Sequence, residues 1–136
     1  MATASKDKYI EGIGRRKTAT ARVRLTPAKE TTIVVNGKPL EEYFPYEHQR
    51  AAVMAVLKND GAGVGDYTIT VLVKGSGLSA QAEAIQLGIA RALVKEKADR
   101  RTTLKKEGYL KRDPRSVERK KFGLKKARKR PAWSKR

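Results

Sequence analysis

No cysteine occurs among the 136 residues. That absence removes disulfides, thiolate zinc sites and iron–sulfur clusters together, and it fits a reducing compartment. Histidine occurs once, at His48, and a single imidazole with no clustered carboxylates cannot hold zinc. Apolar runs are short. The longest, residues 51–57, falls far below the ~20 residues that a membrane-spanning helix needs, so no membrane partner is expected. The opening residues, MATASKDK, lack the apolar stretch of a secretory signal. Acidic residues are also scarce: 14 Asp+Glu stand against 32 Lys+Arg, a formal net charge of +18. A charge that high in a chain of one-domain length points to a polyanionic partner.

The charge is concentrated at one end. Residues 1–99 hold 15 basic and 11 acidic residues, an ordinary balance for a folded domain. Residues 100–136 hold 17 basic and 3 acidic, and read as an arm. The arm divides into a short basic helix over 100–107, stopped by Gly108, and a tail over 108–136. In the tail Tyr109, Leu110, Val117, Phe122, Leu124 and Trp133 follow neither a 3.6 nor a 2 period. Such a segment buries too little to offset its ordering entropy, so it is expected to be extended and mobile until a polyanion neutralises it.

Within residues 1–99 the pattern predicts a mixed α/β (α+β) domain of about four strands with helices on one face. Residues 18–25 (TATARVRL) alternate, placing Ala19, Ala21, Val23 and Leu25 on a buried face. Residues 9–13 form a strand before it, joined through a turn at Gly14-Arg15-Arg16-Lys17. Residues 31–35 (TTIVV) end at Asn36-Gly37, a strong turn signal, and 39–42 read as a helical turn. Pro45 opens a helix over 46–57, ended by Asn59-Asp60-Gly61. Residues 67–73 (YTITVLV) are the strongest strand. Gly75-Ser76-Gly77 then leads into a helix over 78–94, with Ala82, Ile85, Ile89 and Leu93 facing the core and Gln81, Glu83 and Arg91 facing solvent.

Several motifs resemble enzyme signatures and fail on inspection. Residues 75–80 (GSGLSA) fit G-x-G-x-x-[G/A] after a strand, with Glu96 near the spacing of a ribose-binding acid. One such unit leaves no second nucleotide-binding half, and the bland reading is a strand-to-helix turn. Gly14-Arg15-Arg16-Lys17-Thr18 lacks the glycine that a P-loop places before its lysine. Its functional alternative is a phosphate clamp of three adjacent cations, which a chain this basic favours over a solvated loop. Glu41-Glu42 diverge on a helix, and Ser76 and Ser79 have no partner for a triad. No catalytic residue, metal site or cofactor is expected. The tail from Lys120 admits three readings: a solvated charge run, a localisation-like basic patch, or an arm lying on nucleic acid. Arginine forks mixed with Tyr109, Phe122 and Trp133 favour RNA contact.

Four segments together, GIGRRKTATARVRL (12–25), VNGKPLEEYFP (35–45), GSGLSAQAEAIQLGIARAL (75–93) and KKARKRPAWSKR (125–136), resemble the small-subunit ribosomal protein S nine family in its bacterial form. The resemblance covers nearly the whole chain in order. It departs at Gly75-Ser76-Gly77, where the family often has three glycines, and at Ala132-Trp133, where Gln and Phe or Tyr are usual. It implies a ribosomal S-five-domain-two-like fold: a four-stranded sheet, helices on one face, a left-handed βαβ crossover and a long extended basic C-terminal tail. It also implies a place in the head of the small ribosomal subunit, in the cytoplasm. The partners it implies are small-subunit ribosomal RNA, neighbouring head proteins and the anticodon stem-loop of the peptidyl-site tRNA.

The family's basic turn places Arg15, Arg16 and Lys17 against ribosomal RNA. Arg22, Arg24 and Lys74 on the strands, and Arg100, Arg101 and Lys105 on the short helix, are expected to join them. So are Lys111, Arg112, Arg115, Arg119, Lys120 and Lys121, then Lys125, Lys126, Arg128, Lys129 and Arg130, along the tail. The tip, Ser134, Lys135 and Arg136, is expected to reach the tRNA. Two other classes compete: a free-standing architectural nucleic-acid binder, for which DNA would compete equally, and a small nucleotide-binding enzyme using residues 75–80.

Overall fold

The strongest alternating segments of the sequence become the centre of a sheet. The structure is a computed structural model that describes residues 8–58 and 65–134. Its strands are β1 (Ile10–Arg16), β2 (Ala19–Pro27), β3 (Thr32–Val35), β4 (Lys38–Pro39) and β5 (Tyr67–Lys74). Its helices are α1 (Leu40–Tyr43), α2 (Glu47–Ala55), α3 (Leu78–Glu96) and α4 (Arg100–Lys106). The sheet order is β1-β2-β5-β3-β4. β1–β2, β2–β5 and β3–β4 are antiparallel, whereas β3 and β5 run parallel. The parallel pair requires a crossover, which β4, α1 and α2 supply.

Five strands replace the four expected. The additional strand is the two-residue β4. Asn36 (φ 50°) and Gly37 (φ 80°) both take left-handed backbone, the geometry of the favoured two-residue hairpin turn, and fold Lys38–Pro39 back on Val34–Val35. A pair of residues carries no periodicity for a sequence to show. Asn36 also extends the ladder. Its side-chain amide donates to the Val73 carbonyl (2.8 Å), and its Oδ1 accepts from the Val73 N–H (2.9 Å).

One sheet face is buried. Ala19, Ala21, Val23 and Leu25 of β2 and Ile69 and Val71 of β5 lie in the core with Ile85, Ile89 and Leu93 of α3, as alternation and helical spacing predicted. Burying each of the Val, Leu and Ile side chains contributes about 1.5–3 kcal/mol. α3 lies across β1 and β2, and the seam on β1 is glycine. A Cβ added at Gly14 would sit 1.7 Å from the Ala84 carbonyl oxygen, and one at Gly12 would sit 2.2 Å from that of Gly88. The helix therefore approaches the strand backbone directly. Arg91 of α3 donates to the Ile13 carbonyl at 2.8 Å.

One turn and one side chain differ from expectation in ways that bear on the site. β1 continues through Arg16, which pairs with Ala19, so the hairpin turn is Lys17-Thr18 rather than residues 14–17. Gln81 is buried rather than facing solvent. Its amide donates to the Gly75 carbonyl (3.0 Å), and its Oε1 accepts from the Tyr43 hydroxyl (2.6 Å). Gly75 (φ 89°) packs against the Thr18 backbone, so the glycine turn serves packing between β5 and the β1–β2 hairpin. The expected stop at Asn59-Asp60-Gly61 lies outside the described residues.

Candidate nucleic-acid interface

The second face of the sheet is uncovered, and the strand register decides what it displays. Arg15, Thr20 and Lys74 form one row across β1, β2 and β5. Ile13, Arg22 and Leu72 form the next, and Glu11, Arg24 and Thr70 the third. Arg22 and Arg24 share Glu11, at 3.2 and 3.6 Å. Hydrogen bonds from Arg22 hold the Glu11 carboxyl below the usual carboxylate range, with Arg24 adding its charge. Arg24 also lies over the Tyr9 ring, 4.5 Å from its centroid. Arg15 and Lys74 are exposed in the first row, and Lys17 is exposed at the hairpin tip with φ 53°.

Two members of the expected RNA-contacting set point inward in the folded chain. Arg16 is 9% exposed. It shares the inward phase of Gly12 and Gly14 on β1 and bonds α3 and the tail. Its Nε donates to Glu83 Oε2 at 2.5 Å and its Nη1 to the Arg115 carbonyl at 2.5 Å. Asp113 Oδ2 lies 3.5 Å from its Nη2. Of the three adjacent cations, Arg15 and Lys17 remain exposed. Arg100 is 7% exposed. It donates to Glu96 at 2.9 Å and to the Tyr67 hydroxyl at 3.3 Å, and Tyr67 donates to Glu96 at 2.5 Å. This triad ties the start of β5 to the end of α3 and the start of α4. Burial raises the Tyr67 phenol pKa, and the bond to Glu96 raises it further.

α4 turns its remaining cations outward. Arg101 and Lys105 are exposed and lie one helical turn apart. The helix closes as expected at Gly108, which takes φ 83°. The Gly108 N–H bonds the Lys105 carbonyl and the Tyr109 N–H bonds the Leu104 carbonyl, both at 3.1 Å. This paired C-terminal cap sends the chain off the helix axis, and Tyr109 and Leu110 then pack against the core.

From Lys111 to Ser134 the chain has no helix or strand. Val117, Phe122 and Trp133 are 90, 98 and 84% exposed, aromatic and apolar groups that no protein core claims. Lys111, Arg112, Arg119, Lys120, Lys125, Lys126, Lys129, Arg130 and Ser134 are exposed. Arg115 is exposed but forked onto Asp113 at 2.8–3.1 Å. Glu118 holds both Lys121 and Arg128. With bonds from the Lys125 and Lys126 amides to the Lys129 carbonyl, this curls residues 118–129. Lys135 and Arg136 lie outside the described residues.

Among the described residues no three His, Cys, Asp or Glu side chains group to hold a metal, and no helix is long and apolar enough to cross a membrane. His48 stacks on the neighbouring Tyr46 ring at 5.8 Å.

Comparison with known proteins supplies an independent line. Residues 14–136 match the model of the family described as ribosomal protein S9/S16. The chain is 53% identical over 126 residues to the small ribosomal subunit protein uS9 of Parasynechococcus marenigrum (strain WH8102), covering 92% of this chain and 93% of that one. It is 48% identical over 137 residues to the protein of the same name from Synechococcus sp. (strain CC9311), and likewise to that of Prochlorococcus marinus (strain MIT 9313), with both chains fully covered in each case.

Proposed function

Starting from the fact that the chain belongs to the ribosomal protein S9/S16 family, whose members are structural rather than catalytic, we propose that it helps build the head of the small ribosomal subunit. There the folded domain and the tail bind small-subunit ribosomal RNA, and the tip of the tail touches the anticodon stem-loop of peptidyl-site tRNA. The single observation that carries this reading is the tail: a basic segment studded with exposed Phe122 and Trp133, leaving a domain whose own charges are nearly balanced.

Physics supplies the mechanism. The domain fixes register, with Arg15, Lys17, Lys74, Arg101 and Lys105 offered to phosphates. The tail neutralises phosphates where RNA helices crowd, releasing condensed counterions, so affinity falls steeply with salt. Most contacts go to phosphate and sugar, and specificity comes from RNA shape and from bases stacked on the exposed rings. Lys135 and Arg136 then place charge against the tRNA backbone and slow its departure. The left-handed sense of the β3–β5 crossover, the cytoplasmic ribosome as location and contacts with neighbouring head proteins belong to the same proposal.

The test is sedimentation of the tagged chain in lysate across a salt series, followed by deletion of residues 134–136. The chain is expected to travel with the small subunit through moderate salt. The deletion is expected to leave assembly intact and weaken peptidyl-site tRNA retention. A chain that spreads over all nucleic acid and detaches at low salt would instead be an architectural binder. Unchanged tRNA retention after the deletion would remove the tip from the mechanism.

A further inference from the structure

We propose that Arg16 is a positioning residue whose buried guanidinium sets the direction in which the tail leaves the folded domain. The inference for tRNA contact rests on the tail reading above; the inference for tail direction does not.

Each nitrogen of the guanidinium faces a different acceptor: Glu83 of α3, the Arg115 carbonyl and Asp113. The planar fork of arginine suits such divergent bonding, and the point charge of a lysine does not. What it grips is stiff. Asp113 accepts from the Arg115 backbone N–H at 3.0 Å and from the Arg115 guanidinium, and Pro114 between them has a locked φ. Residues 113–115 thus form one compact unit docked on Arg16. Upstream, the chain is already fixed by the Gly108 cap and by Tyr109 and Leu110 on the core. Beyond Arg115, the hydrogen bonds and ion pairs of the described residues stay within the tail. Among the described residues Arg16 is therefore the last hydrogen-bonded attachment to the domain.

The length beyond it gives that attachment leverage. The 21 residues after Arg115 span up to ~70 Å when extended. Where a bound polyanion holds the tail extended, a change of direction at the root moves its far end by many times the change at the clamp.

The absence of native cysteine makes the test direct. Spin labels are placed on the full chain at Lys95→Cys, exposed on α3, and at Ser116→Cys, just past the clamp, and the distance distribution is read by pulsed dipolar spectroscopy. The parent is expected to give one narrow distance. Arg16→Ala, Arg16→Lys and Asp113→Ala are each expected to broaden it at least two-fold. Asp113 lies outside the folded domain, so Asp113→Ala is expected to melt within a few degrees of the parent and decides the matter even if Arg16→Ala folds poorly. Retention of the parental width in Asp113→Ala would overturn the proposal. Small subunits assembled with Asp113→Ala are then assayed for tRNA retention, which is expected to fall toward that of the 134–136 deletion. If the deletion lowers retention and Asp113→Ala does not, the clamp has no part in placing the tip. If the deletion itself changes nothing, the tRNA reading fails while the distance measurement still judges the clamp.

Discussion

Gly14→Ala places one methyl group where the helix α3 touches β1. The added Cβ would lie 1.7 Å from the Ala84 carbonyl oxygen and 2.5 Å from the Gly88 nitrogen. Carbon–oxygen contacts settle near 3.3 Å, so α3 must withdraw by about 1.5 Å or tilt. Both contacts are helix backbone, so no side-chain rotation relieves them. A radial gap of 0.5–1 Å already forfeits a quarter to a half of each dispersion contact, and the helix carries Ile85, Ile89 and Leu93 into the core. Overpacking usually costs about 1–3 kcal/mol, and this position belongs at the upper end. The opposing effect, a stiffer unfolded chain, returns only about 0.4–1 kcal/mol. A net loss of about 2–3 kcal/mol corresponds to a melting point lower by roughly 10 °C for a domain of this size. The assay is far-UV circular dichroism of the free chain during heating, with Gly77→Ala as control. Gly77 is the N-cap of α3 with ordinary backbone and open space around it, so that variant is expected to cost no more than about 1 kcal/mol, the lost cap preference. A Gly14→Ala chain melting within about 2 °C of the parent would refute the direct contact of helix and strand.

Two further outcomes follow from the polar contacts. Tyr67→Phe removes a hydroxyl bonded to Glu96 and Arg100 and is expected to cost about 1–2 kcal/mol in urea unfolding; no loss would show that the other two partners satisfy each other. Side-chain and backbone bonds from Arg115 hold the Asp113 carboxyl well below its usual value of 3.8. A lowered pKa means the contribution is present above the ordinary value and is lost only as pH falls through the lowered one. The distance between labels at 95 and 116 is therefore expected to stay narrow from pH 7 to about pH 4 and to broaden only below. Broadening already at pH 5 would contradict the pairing.

Much of the architecture is legible because burial leaves a period. β2, β5 and α3 alternate or repeat strongly enough to read directly, and Asn36-Gly37 and Gly108 mark their turns by the backbone they need. β1 is harder, since its inward face is Gly12, Gly14 and Arg16: two residues without side chains and one that resembles a surface cation. That inward phase, once seen, would have carried Arg16 to the buried side. Arg100 deceives for the same reason, as a guanidinium looks alike in sequence whether it meets a phosphate or a buried carboxylate. The partners of Arg16 lie 67 and 99 residues away, beyond any local pattern. The tail reads plainly because its charge is not offset nearby, although the curl around Glu118 rests on a single acid among many cations.

The bond from Arg91 to the Ile13 carbonyl bears on how the chain avoids pairing with its own copies. A sheet ends in unpaired backbone groups that can template a second chain, and β1 is a seven-residue edge. Arg91 occupies one of its carbonyls, and the cation would be carried into any intruding strand. The opposite edge, β4, is two residues long and includes Pro39, which lacks a backbone donor. Both margins are thus poor seeds for sheet extension. A newly made chain, charged and not yet assembled, is guarded at both sheet margins against stacking on its own copies.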